Sequence, residues 1–487
     1  MDSNRSVSLQ TLLDSLPPEV SVTGDRRVPI SAIAIDSREV RPGTLFVALR
    51  GAHTDGHRYI GEAIARGAHA VVAEEPFSHR NASSVIVADS AAALSKIAGA
   101  FWGNPSTRLC VLGVTGTDGK TTTAYMIAAI ANAAGLPCGV LGTVGAHFGS
   151  SSWTLEHTTP PAHRVQEILA AMLCAGAKAV AMEVSSHALA LHRVEDVEFS
   201  VGALTNVTRD HLDFHGSLES YAAAKRRLFT SAQRCVFNAD DAHGARWTEE
   251  LRAIKPVTTF ARKAPADVTA EDVALAEDGS SFAVDGIRFR LFLPGGFNVS
   301  NALCAVAAAR SIGISTADAA RGLQSLQRVP GRMELLRSKD VAVIVDYAHT
   351  PGALSNVLLA ARENARGRVV AVFGCGGDRD RGKRPEMGRV AARCADMLYV
   401  TSDNPRTEDP AVIVASILSG IGDAPAVVEL DRRKAIEEAI TRAQPGDVVV
   451  VAGKGHESYQ IVGEQTLPFD DLEVAAHALE SRTAAVR

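Results

Sequence analysis

Residues 113–122 read GVTGTDGKTT, and they lie between a strongly apolar run, Leu109–Leu112, and a helix-like run, Thr123–Ala134. A glycine-rich turn between a strand and a helix is the setting that a phosphate-binding loop requires. In that setting, backbone N–H groups and the positive end of the helix attract phosphate. We expect Lys120 to reach the β- and γ-phosphates of a nucleotide and Thr121 to offer its hydroxyl to Mg²⁺. The sequence therefore predicts a nucleotide site.

The glycine spacing of this loop departs from the common pattern G-x-x-x-x-G-K-[ST]. The residue five before Gly119 is Val114, and the glycine stands one place earlier, at Gly113. A tight strand-to-helix turn with a solvated Lys120 is the simpler interpretation, and a glycine-rich turn alone would favour it. Gly-Lys-Thr-Thr between a strand and a helix favours nucleotide binding instead. Asp118 is an unfavourable neighbour for an anion, so backbone donors would provide most of the binding.

Length and composition indicate a globular protein of several domains. At roughly 150 residues per domain, 487 residues predict about three domains. Apolar residues make up 46% and charged residues 22%, which excludes wholesale disorder. A net charge of −5 gives no reason to expect nucleic-acid or membrane partners. Seven scattered cysteines without a CxxC pair indicate reduced thiols, and no signal peptide or long apolar run is evident, so we expect a cytoplasmic protein.

The pattern of strand-like and helix-like runs divides the chain into three blocks. Breaks at Asn104–Thr107 and near Pro330 separate them. We expect domains at residues 1–105, 106–330 and 331–487. The predicted fold class is α/β, with a smaller α/β N-terminal domain, a central P-loop ATPase domain built on a parallel sheet, and a Rossmann-like C-terminal domain.

Polar residues follow two strand-like runs of the central block. Glu183 comes directly after Ala179–Met182, where a carboxylate is well placed to hold a metal. A carboxylate paired with a basic neighbour is the simpler interpretation of Glu183 alone. After Phe199–Leu204, the segment 205–216 holds two histidines and two aspartates within six residues. His211 can coordinate a metal as neutral imidazole.

Three further patterns complete the central block. Alternation with period two between about 255 and 293 predicts an antiparallel hairpin, and Asn298–Arg310 is helix-like. The run Tyr221–Phe229 also predicts a helix. Periodicity alone predicts that Lys225 faces the solvent on this helix.

The third block carries four apolar strands, and each ends in a polar, glycine-containing loop. The strands are Val341–Val345, Val369–Phe373, Met397–Val400 and Val448–Val451, and the loops are 346–351, 374–380, 403–406 and 453–457. Ligands bind at the carboxyl ends of parallel strands, so one functional edge is predicted. Arg379 and Arg406 could grip a carboxylate, and Glu457 could pair with an ammonium group. A polar turn explains any single loop equally well, but four loops on one edge favour a pocket for an amino acid.

These motifs resemble those of the Mur ligases, the ATP-dependent amide-bond-forming enzymes of peptidoglycan synthesis. The resemblance covers nearly the whole chain in three-domain order, and it explains the irregular glycine spacing at 113–122. It rests further on Asp36-Ser37-Arg38, residues 183–187, residues 205–216, Asn298 with Asn301, residues 331–334 and residues 346–351. Residues 403–406, Asp-Asn-Pro-Arg, look like the signature of members that select meso-diaminopimelate. The free amino-carboxylate end of meso-diaminopimelate would give Arg406 a partner that the amino acid lysine lacks.

The resemblance implies a role for each candidate site residue. Those expected at ATP are Gly116, Thr117, Gly119, Lys120, Thr121, Thr122, Asn301, Arg332, Asp346 and His349. Those expected at the UDP-N-acetylmuramoyl dipeptide are Ser37, His53, Thr158, Thr159, Ser185 and Arg193. Those expected at diaminopimelate are Arg379, Asp403, Asn404, Arg406, Gly453 and Glu457. The catalytic residues are expected to be Lys120, Lys225, Glu183 and His211. Thr121 would hold one Mg²⁺, and Glu183, His211 and a Lys225 carbamate formed with CO₂ would hold a second.

The implied reaction moves the γ-phosphoryl group of ATP to the D-glutamate carboxylate, and an amine then displaces phosphate. We expect a monomer in which the third block closes over the second and excludes water. Many family members carry asparagine where Asp118 stands, so the role of its side chain is open. Two alternatives are a relative that extends folate with glutamate and a P-loop switch in which nucleotide hydrolysis drives partner binding.

Overall fold

The computed structural model of the protein describes residues 5–51, 54–77, 79–338 and 340–485. The chain forms two compact units. The first consists of Met1–Gly113, Leu136–Gly202 and Ala224–Gln233, and the second of Val114–Gly135, Ala203–Ala223 and Arg234–Arg487. No helix within the described ranges is both long and apolar enough to cross a bilayer.

A five-stranded sheet organises the first hundred residues. The strands are β1 (Val7–Ser8), β2 (Ser21–Thr23), β3 (Pro29–Ile30), β4 (Ala32–Ala34), β5 (Thr44–Val47), β6 (Ala68–Ala73) and β7 (Ser83–Ile86), and the helices are α1 (Leu9–Leu13), α2 (Ile60–Ala65) and α3 (Ser90–Trp102). The sheet has the order β2-β7-β6-β5-β4, and only β2 runs antiparallel to its neighbour. Leu45 and Val47 pack into one core and Phe46 and Ala48 into another, because successive side chains of a strand point to opposite faces.

The next segment alternates strands and helices, as its sequence predicts. The strands are β8 (Cys110–Thr115), β9 (Cys138–Gly142), β10 (Gly145–Phe148), β11 (Ser151–Trp153), β12 (Ala179–Glu183), β13 (Val201–Leu204), β14 (Arg234–Asn238), β15 (Val257–Ala261), β16 (Val268–Thr269), β17 (Glu271–Ala276), β18 (Gly279–Val284) and β19 (Ile287–Leu291). The helices are α4 (Lys120–Ala133), α5 (Ala162–Cys174), α6 (Ser186–Ala190), α7 (Leu212–His215), α8 (Leu218–Ser231), α9 (Ala242–Leu251), α10 (Gly296–Ser311) and α11 (Thr316–Ser325).

Each unit contains its own run of neighbouring strands. In the first unit the order is β11-β10-β9-β12-β8, with β9 parallel to β12 and antiparallel to β10. In the second unit β13, β14, β15 and β16 follow one another, and β14 to β16 are parallel. The hairpin predicted between about 255 and 293 is a three-stranded antiparallel sheet, β17-β18-β19. The pattern missed β17 because this edge strand is exposed along most of its length and has no buried face.

Three local predictions need correction. Helix α4 begins at Lys120 rather than Thr123, directly after Gly119, and Glu183 is the last residue of β12 rather than the residue after it. The solvent-facing placement of Lys225 is wrong, because only 1% of this residue is exposed. Leu228 and Phe229, three and four positions later on α8, are fully buried, and residues at these spacings share a helix face.

A mostly parallel six-stranded sheet organises the C-terminal part. The strands are β20 (Glu334–Arg337), β21 (Ala342–Asp346), β22 (Val369–Phe373), β23 (Met397–Val400), β24 (Ala426–Val428), β25 (Val448–Ala452), β26 (Tyr459–Val462) and β27 (Gln465–Pro468), and the helices are α12 (Pro351–Asn364), α13 (Lys383–Cys394), α14 (Pro410–Ile421), α15 (Arg432–Arg442) and α16 (Asp471–Ala485). The order is β20-β21-β25-β22-β23-β24, and only β20 is antiparallel. The four predicted strands are confirmed, and their carboxyl ends meet at one edge.

Candidate active site

The glycine-rich loop 113–122 connects β8 to α4 in a shape that requires glycine. Gly119 has a φ of +85°, and a Cβ there would lie 2.3 Å from the side-chain oxygen of Asn301. The amide of Asn301 donates to Asn298 Oδ1 at 3.1 Å, so two residues of α10 that the sequence singled out support each other. Asn301 therefore packs directly against the loop where α4 begins.

Lys120, the first residue of α4, turns back to the loop. Its Nζ donates to the carbonyl oxygens of Gly116 at 3.0 Å and Thr117 at 2.8 Å. The Thr117 hydroxyl donates to Thr208 O at 3.0 Å and accepts from Thr208 N at 2.9 Å. The loop is thus tied to the segment 205–216, which the sequence also selected.

Arg332 joins the start of α4 to the first strand-end loop of the C-terminal sheet. It donates to Thr121 Oγ1 at 2.8 Å, and its guanidinium carbon lies 4.5 Å from the ring centroid of Tyr347. Asp346, beside that tyrosine, accepts from Met333 N at 2.8 Å. Burial raises the pKa of Asp346 to about 6, although the positive charge of Arg332 opposes the shift. Four residues expected at ATP are close in space here: Thr121, Asn301, Arg332 and Asp346.

Asp118 has a partner that the sequence did not reveal. Its Oδ1 accepts from the Thr350 hydroxyl at 3.0 Å. Thr350 is the N-cap of α12, and its Oγ1 accepts from Ala353 N at 3.0 Å. The positive end of a helix favours a carboxylate, so α12 offsets the negative charge that made Asp118 an unfavourable loop residue.

Three basic side chains of the second unit lie close to the carboxylate of Asp210. Its carboxylate lies 3.2 Å from His211 Nε2, 4.0 Å from His349 Nε2 and 3.9 Å from Lys383 Nζ. Burial alone would raise the pKa of Asp210, but these neighbours bring it well below its usual range. His211 and His349, predicted for different roles, are therefore held at the same buried carboxylate.

Glu183 is almost fully buried in the first unit and accepts two hydrogen bonds from Thr143. The Thr143 N–H donates to Oε1 at 2.8 Å, and the hydroxyl donates to Oε2 at 3.0 Å. A Cβ at Gly142 would lie 2.1 Å from Oε1, so glycine leaves room for the carboxylate. The Thr143 hydroxyl is also 3.0 Å from Thr158 Oγ1. The strand-end rule that selected Glu183 could also have found Thr143, which directly follows β9.

Three of the remaining residues expected at the UDP-sugar dipeptide are joined by hydrogen bonds. Thr159 donates to Glu183 O at 2.9 Å and accepts from Ser185 N at 3.1 Å, and Arg193 donates to Thr159 O at 2.9 Å. Ser37 lies elsewhere in the first unit, in a short 3₁₀ helix. His53 is outside the described residues.

The strand-end loops of the C-terminal sheet converge as predicted. Asn404 Nδ2 donates to Glu457 Oε2 at 2.9 Å, and a Cβ at Gly453 would lie 2.5 Å from Asp403 Oδ2. Arg406 has a φ of +53° and donates to Gly377 O at 2.8 Å.

Arg379 lies close to this group of loops. Burial, and then the charge of Arg406, lower the pKa of Arg379. A cavity of about 480 Å³ adjoins it, lined partly by Asp213, Arg381 and Glu408.

Family models match three parts of the chain. The model for the Mur ligase family, catalytic domain, matches residues 29–102, the Mur ligase middle domain matches 114–309, and the Mur ligase, glutamate ligase domain matches 331–455. A UDP-N-acetylmuramoyl-L-alanyl-D-glutamate--2,6-diaminopimelate ligase of Geobacter metallireducens is 44% identical, over 93% of this chain and 95% of its own. The chain belongs to the Mur ligase family. A protein of the same name from Geobacillus thermodenitrificans is 42% identical and covers 98% of this chain and 100% of its own.

Solved structures show the same fold. One of a UDP-N-acetylmuramoyl-L-alanyl-D-glutamate--2,6-diaminopimelate ligase has a TM-score of 0.68 and 33% identity, and it covers 98% of this chain and 99% of its own. MurF from Acinetobacter baumannii has a TM-score of 0.70 at 20% identity, over 98% and 99% of the two chains, and shows the fold alone. The family, the α/β fold class and the enzyme class, a ligase, are therefore confirmed.

Proposed function

We propose that this Mur ligase adds meso-diaminopimelate to UDP-N-acetylmuramoyl-L-alanyl-D-glutamate, using ATP, in cytoplasmic peptidoglycan precursor synthesis. One observation carries the proposal: within the second unit, a short path of side chains joins the nucleotide loop to the amino-acid pocket. Arg332 contacts Thr121 and lies over Tyr347, whose hydroxyl donates to Glu457 Oε1 at 3.4 Å. The names of the relatives support the choice of substrate.

The charges of the pocket suit a carboxylate and an ammonium group on one carbon. Arg406 and Arg379 would bind the distal carboxylate of diaminopimelate, and Glu457 would pair with the distal ammonium group. Asp403, Asn404 and Gly453 complete the proposed contacts. Lysine, which ends in an ammonium group alone, would leave both arginines without an anion. The specificity is therefore proposed to come from Arg406 together with Arg379.

The reaction forms two bonds in sequence. A carboxylate oxygen of D-glutamate attacks the γ-phosphorus of ATP, ADP leaves, and an acyl phosphate results. The neutral amine of diaminopimelate then attacks the acyl carbon, its nitrogen loses a proton, and phosphate takes up that proton as it leaves with the former carboxylate oxygen. Lys120 would exchange the carbonyls of Gly116 and Thr117 for phosphate oxygens and offset their negative charge, as positioned cations do in phosphoryl transfer.

The nucleotide is proposed to bind residues that lie around the loop. These are Gly116, Thr117, Gly119, Lys120, Thr121, Thr122, Asn301, Arg332, Asp346 and His349. The proposal is supported by the contact of Asn301 with the loop and by the hydrogen bond from Arg332 to Thr121.

Two of the residues proposed for magnesium fit the preferences of that ion. Thr121 and Glu183 offer the oxygen ligands that Mg²⁺ favours, and His211 is held at a buried carboxylate. When bound, Mg²⁺ neutralises charge on the phosphoryl oxygens. Lys225 is proposed to act as a carbamate, and its burial would shield that labile group from bulk water.

The sugar dipeptide is proposed to bind the first unit through Ser37, His53, Thr158, Thr159, Ser185 and Arg193. The hydrogen bonds that join Thr159, Ser185 and Arg193 support this grouping. Domain boundaries at 105 and 330 and a monomeric state are also part of the proposal. Gaps between the three family-model matches, at 103–113 and 310–330, support the boundaries.

ADP formation measured with and without each substrate tests the proposal. We expect turnover only when UDP-N-acetylmuramoyl-L-alanyl-D-glutamate and meso-diaminopimelate are both present. ATP hydrolysis without either would indicate a P-loop switch, and indifference to both would favour a folate-extending enzyme. Competition between meso-diaminopimelate and L-lysine tests the specificity, because a lysine product would contradict the role of Arg406 but leave the ligase reaction intact.

A further inference from the structure

Lys454 is a fully buried lysine next to residues of the amino-acid pocket, and the proposed reaction does not use it. It lies in the loop after β25, between Gly453 and Glu457. An ammonium group removed from water is tolerated only where it is paired and hydrogen-bonded. The partners of Lys454 therefore indicate its function.

Those partners are two of the residues proposed to hold diaminopimelate. Nζ donates to Asn404 Oδ1 at 3.0 Å and to Glu457 Oε2 at 3.1 Å. It also lies 5.4 Å from the ring centroid of Tyr459, within range of a cation–π contact. Together these contacts hold the ammonium group of Lys454 against Asn404 and Glu457 and away from solvent.

The contacts fix which atoms of Asn404 and Glu457 face a substrate. Asn404 Oδ1 accepts from both Lys454 and Ile461 N, the latter at 3.0 Å, so its Nδ2 is directed to Glu457 Oε2. Glu457 Oε2 then has two donors, whereas among the described residues Oε1 has only the longer contact with Tyr347. Oε1 is thereby the oxygen left for an incoming ammonium group.

Lys454 also affects the charge of the pocket. Burial would raise the pKa of Asp403, but Lys454 and then Arg432 lower it below its ordinary value. The positive charge of Lys454, beside Asn404 and Glu457, disfavours a ligand whose distal end carries an ammonium group alone.

The backbone around the pocket has a separate support. Arg432 is fully buried and donates to Ser402 O at 3.3 Å and Ala452 O at 3.0 Å, while its guanidinium pairs with Asp471 at 2.7 Å. Ser402, in the loop after β23, directly precedes Asp403, and Ala452, the last residue of β25, directly precedes Gly453. Loss of Lys454 should therefore disturb side chains more than the fold.

We propose that Lys454 is a positioning residue for the amino-acid substrate, which orients Asn404 and Glu457 and makes the pocket select an amino acid with a distal carboxylate. This inference rests on the proposed function and deepens it.

The test is Lys454→Met, which keeps an unbranched side chain only one atom shorter and removes the charge and the donors. We expect the KM for meso-diaminopimelate to rise tenfold or more, with the KM values for ATP and the UDP-dipeptide within about twofold of wild type. A tenfold change corresponds to about 1.4 kcal/mol. The preference for meso-diaminopimelate over L-lysine should also fall. Lys434→Met is the matched control, because that lysine is exposed on α15 and pairs only loosely with Asp431.

An unchanged KM for meso-diaminopimelate, or equal losses for all three substrates, would overturn the inference. If Lys454→Met shows no cooperative thermal transition, Lys454→Gln replaces it, since the amide removes the charge but leaves a polar group in the buried position. The same selective rise in KM is then expected, and its absence counts against the inference. Failure of the proposed function is distinguishable, because wild-type enzyme would then lack diaminopimelate-dependent ADP formation.

Discussion

Replacement of Gly119 by alanine tests the nucleotide loop through its geometry. At a φ of +85° an L-residue is disfavoured by about 1–2 kcal/mol. The new Cβ would lie 2.3 Å from Asn301 Oδ1, so Asn301 must move, and loss of its hydrogen bond to Asn298 adds about 1 kcal/mol. The sum, about 2–3 kcal/mol, is the expected loss in the free energy of unfolding. The displacement of Asn301, about 1 kcal/mol of that sum, should weaken ATP binding by roughly fivefold.

Gly135→Ala is the matched control for this prediction. Gly135 follows the other end of α4 with a φ of +78°, and a Cβ there meets no atom within 4 Å. Both variants should lose stability from backbone strain, but only Gly119→Ala should lose ATP affinity, measured by isothermal titration calorimetry. Equal ATP affinities in the two variants would refute the assignment of residues 113–122 as the nucleotide loop.

Three further predictions concern single side chains. Asp118→Asn should keep kcat within about threefold, because an amide oxygen can still accept from Thr350. Asp118→Ala should lower kcat about tenfold, near the 1.4 kcal/mol of one such hydrogen bond. Equal kcat values in the two variants would exclude a role for this contact. Lys225→Ala should lose activity and regain part of it with added formate or acetate, and full activity without them would remove its proposed role. The pKa of Asp346 is raised to about 6 from 3.8, so its protonated form stabilises the fold and this contribution disappears as the pH rises through about 6. In urea unfolding, wild type should therefore lose stability relative to Asp346→Asn between about pH 4 and pH 6, and a parallel pH dependence of the two proteins would contradict the burial of the carboxyl.

Strands and strand-end loops could be predicted from the sequence because their signals are local. Val369–Phe373 and Met397–Val400 form strands with the predicted bounds, since continuous apolar runs suit strands buried on both faces. Gly119 and Lys120 were recognisable because a phosphate loop is read from ten consecutive residues. The edge strand Glu271–Ala276 was missed because its residues carry no burial pattern.

Contacts between distant residues could not be predicted from the sequence. The partner of Asp118 is Thr350, 232 positions away, and nothing in either local sequence indicates the other. Lys454 lay within a loop that the sequence selected, but only the folded chain shows its contact with Asn404. Lys225 is different, because the spacing of Leu228 and Phe229 already indicated a buried face.

The transfer of an oxygen atom from the glutamate carboxylate to phosphate is the most direct test of whether ATP activates that carboxylate before the amine attacks it. UDP-N-acetylmuramoyl-L-alanyl-D-glutamate labelled with ¹⁸O in the terminal glutamate carboxylate would be incubated with ATP and meso-diaminopimelate, and the released phosphate analysed by mass spectrometry. An acyl phosphate requires one labelled oxygen to leave with each phosphate. Phosphate that carries only unlabelled oxygen, formed at the same rate as ADP, would contradict the account.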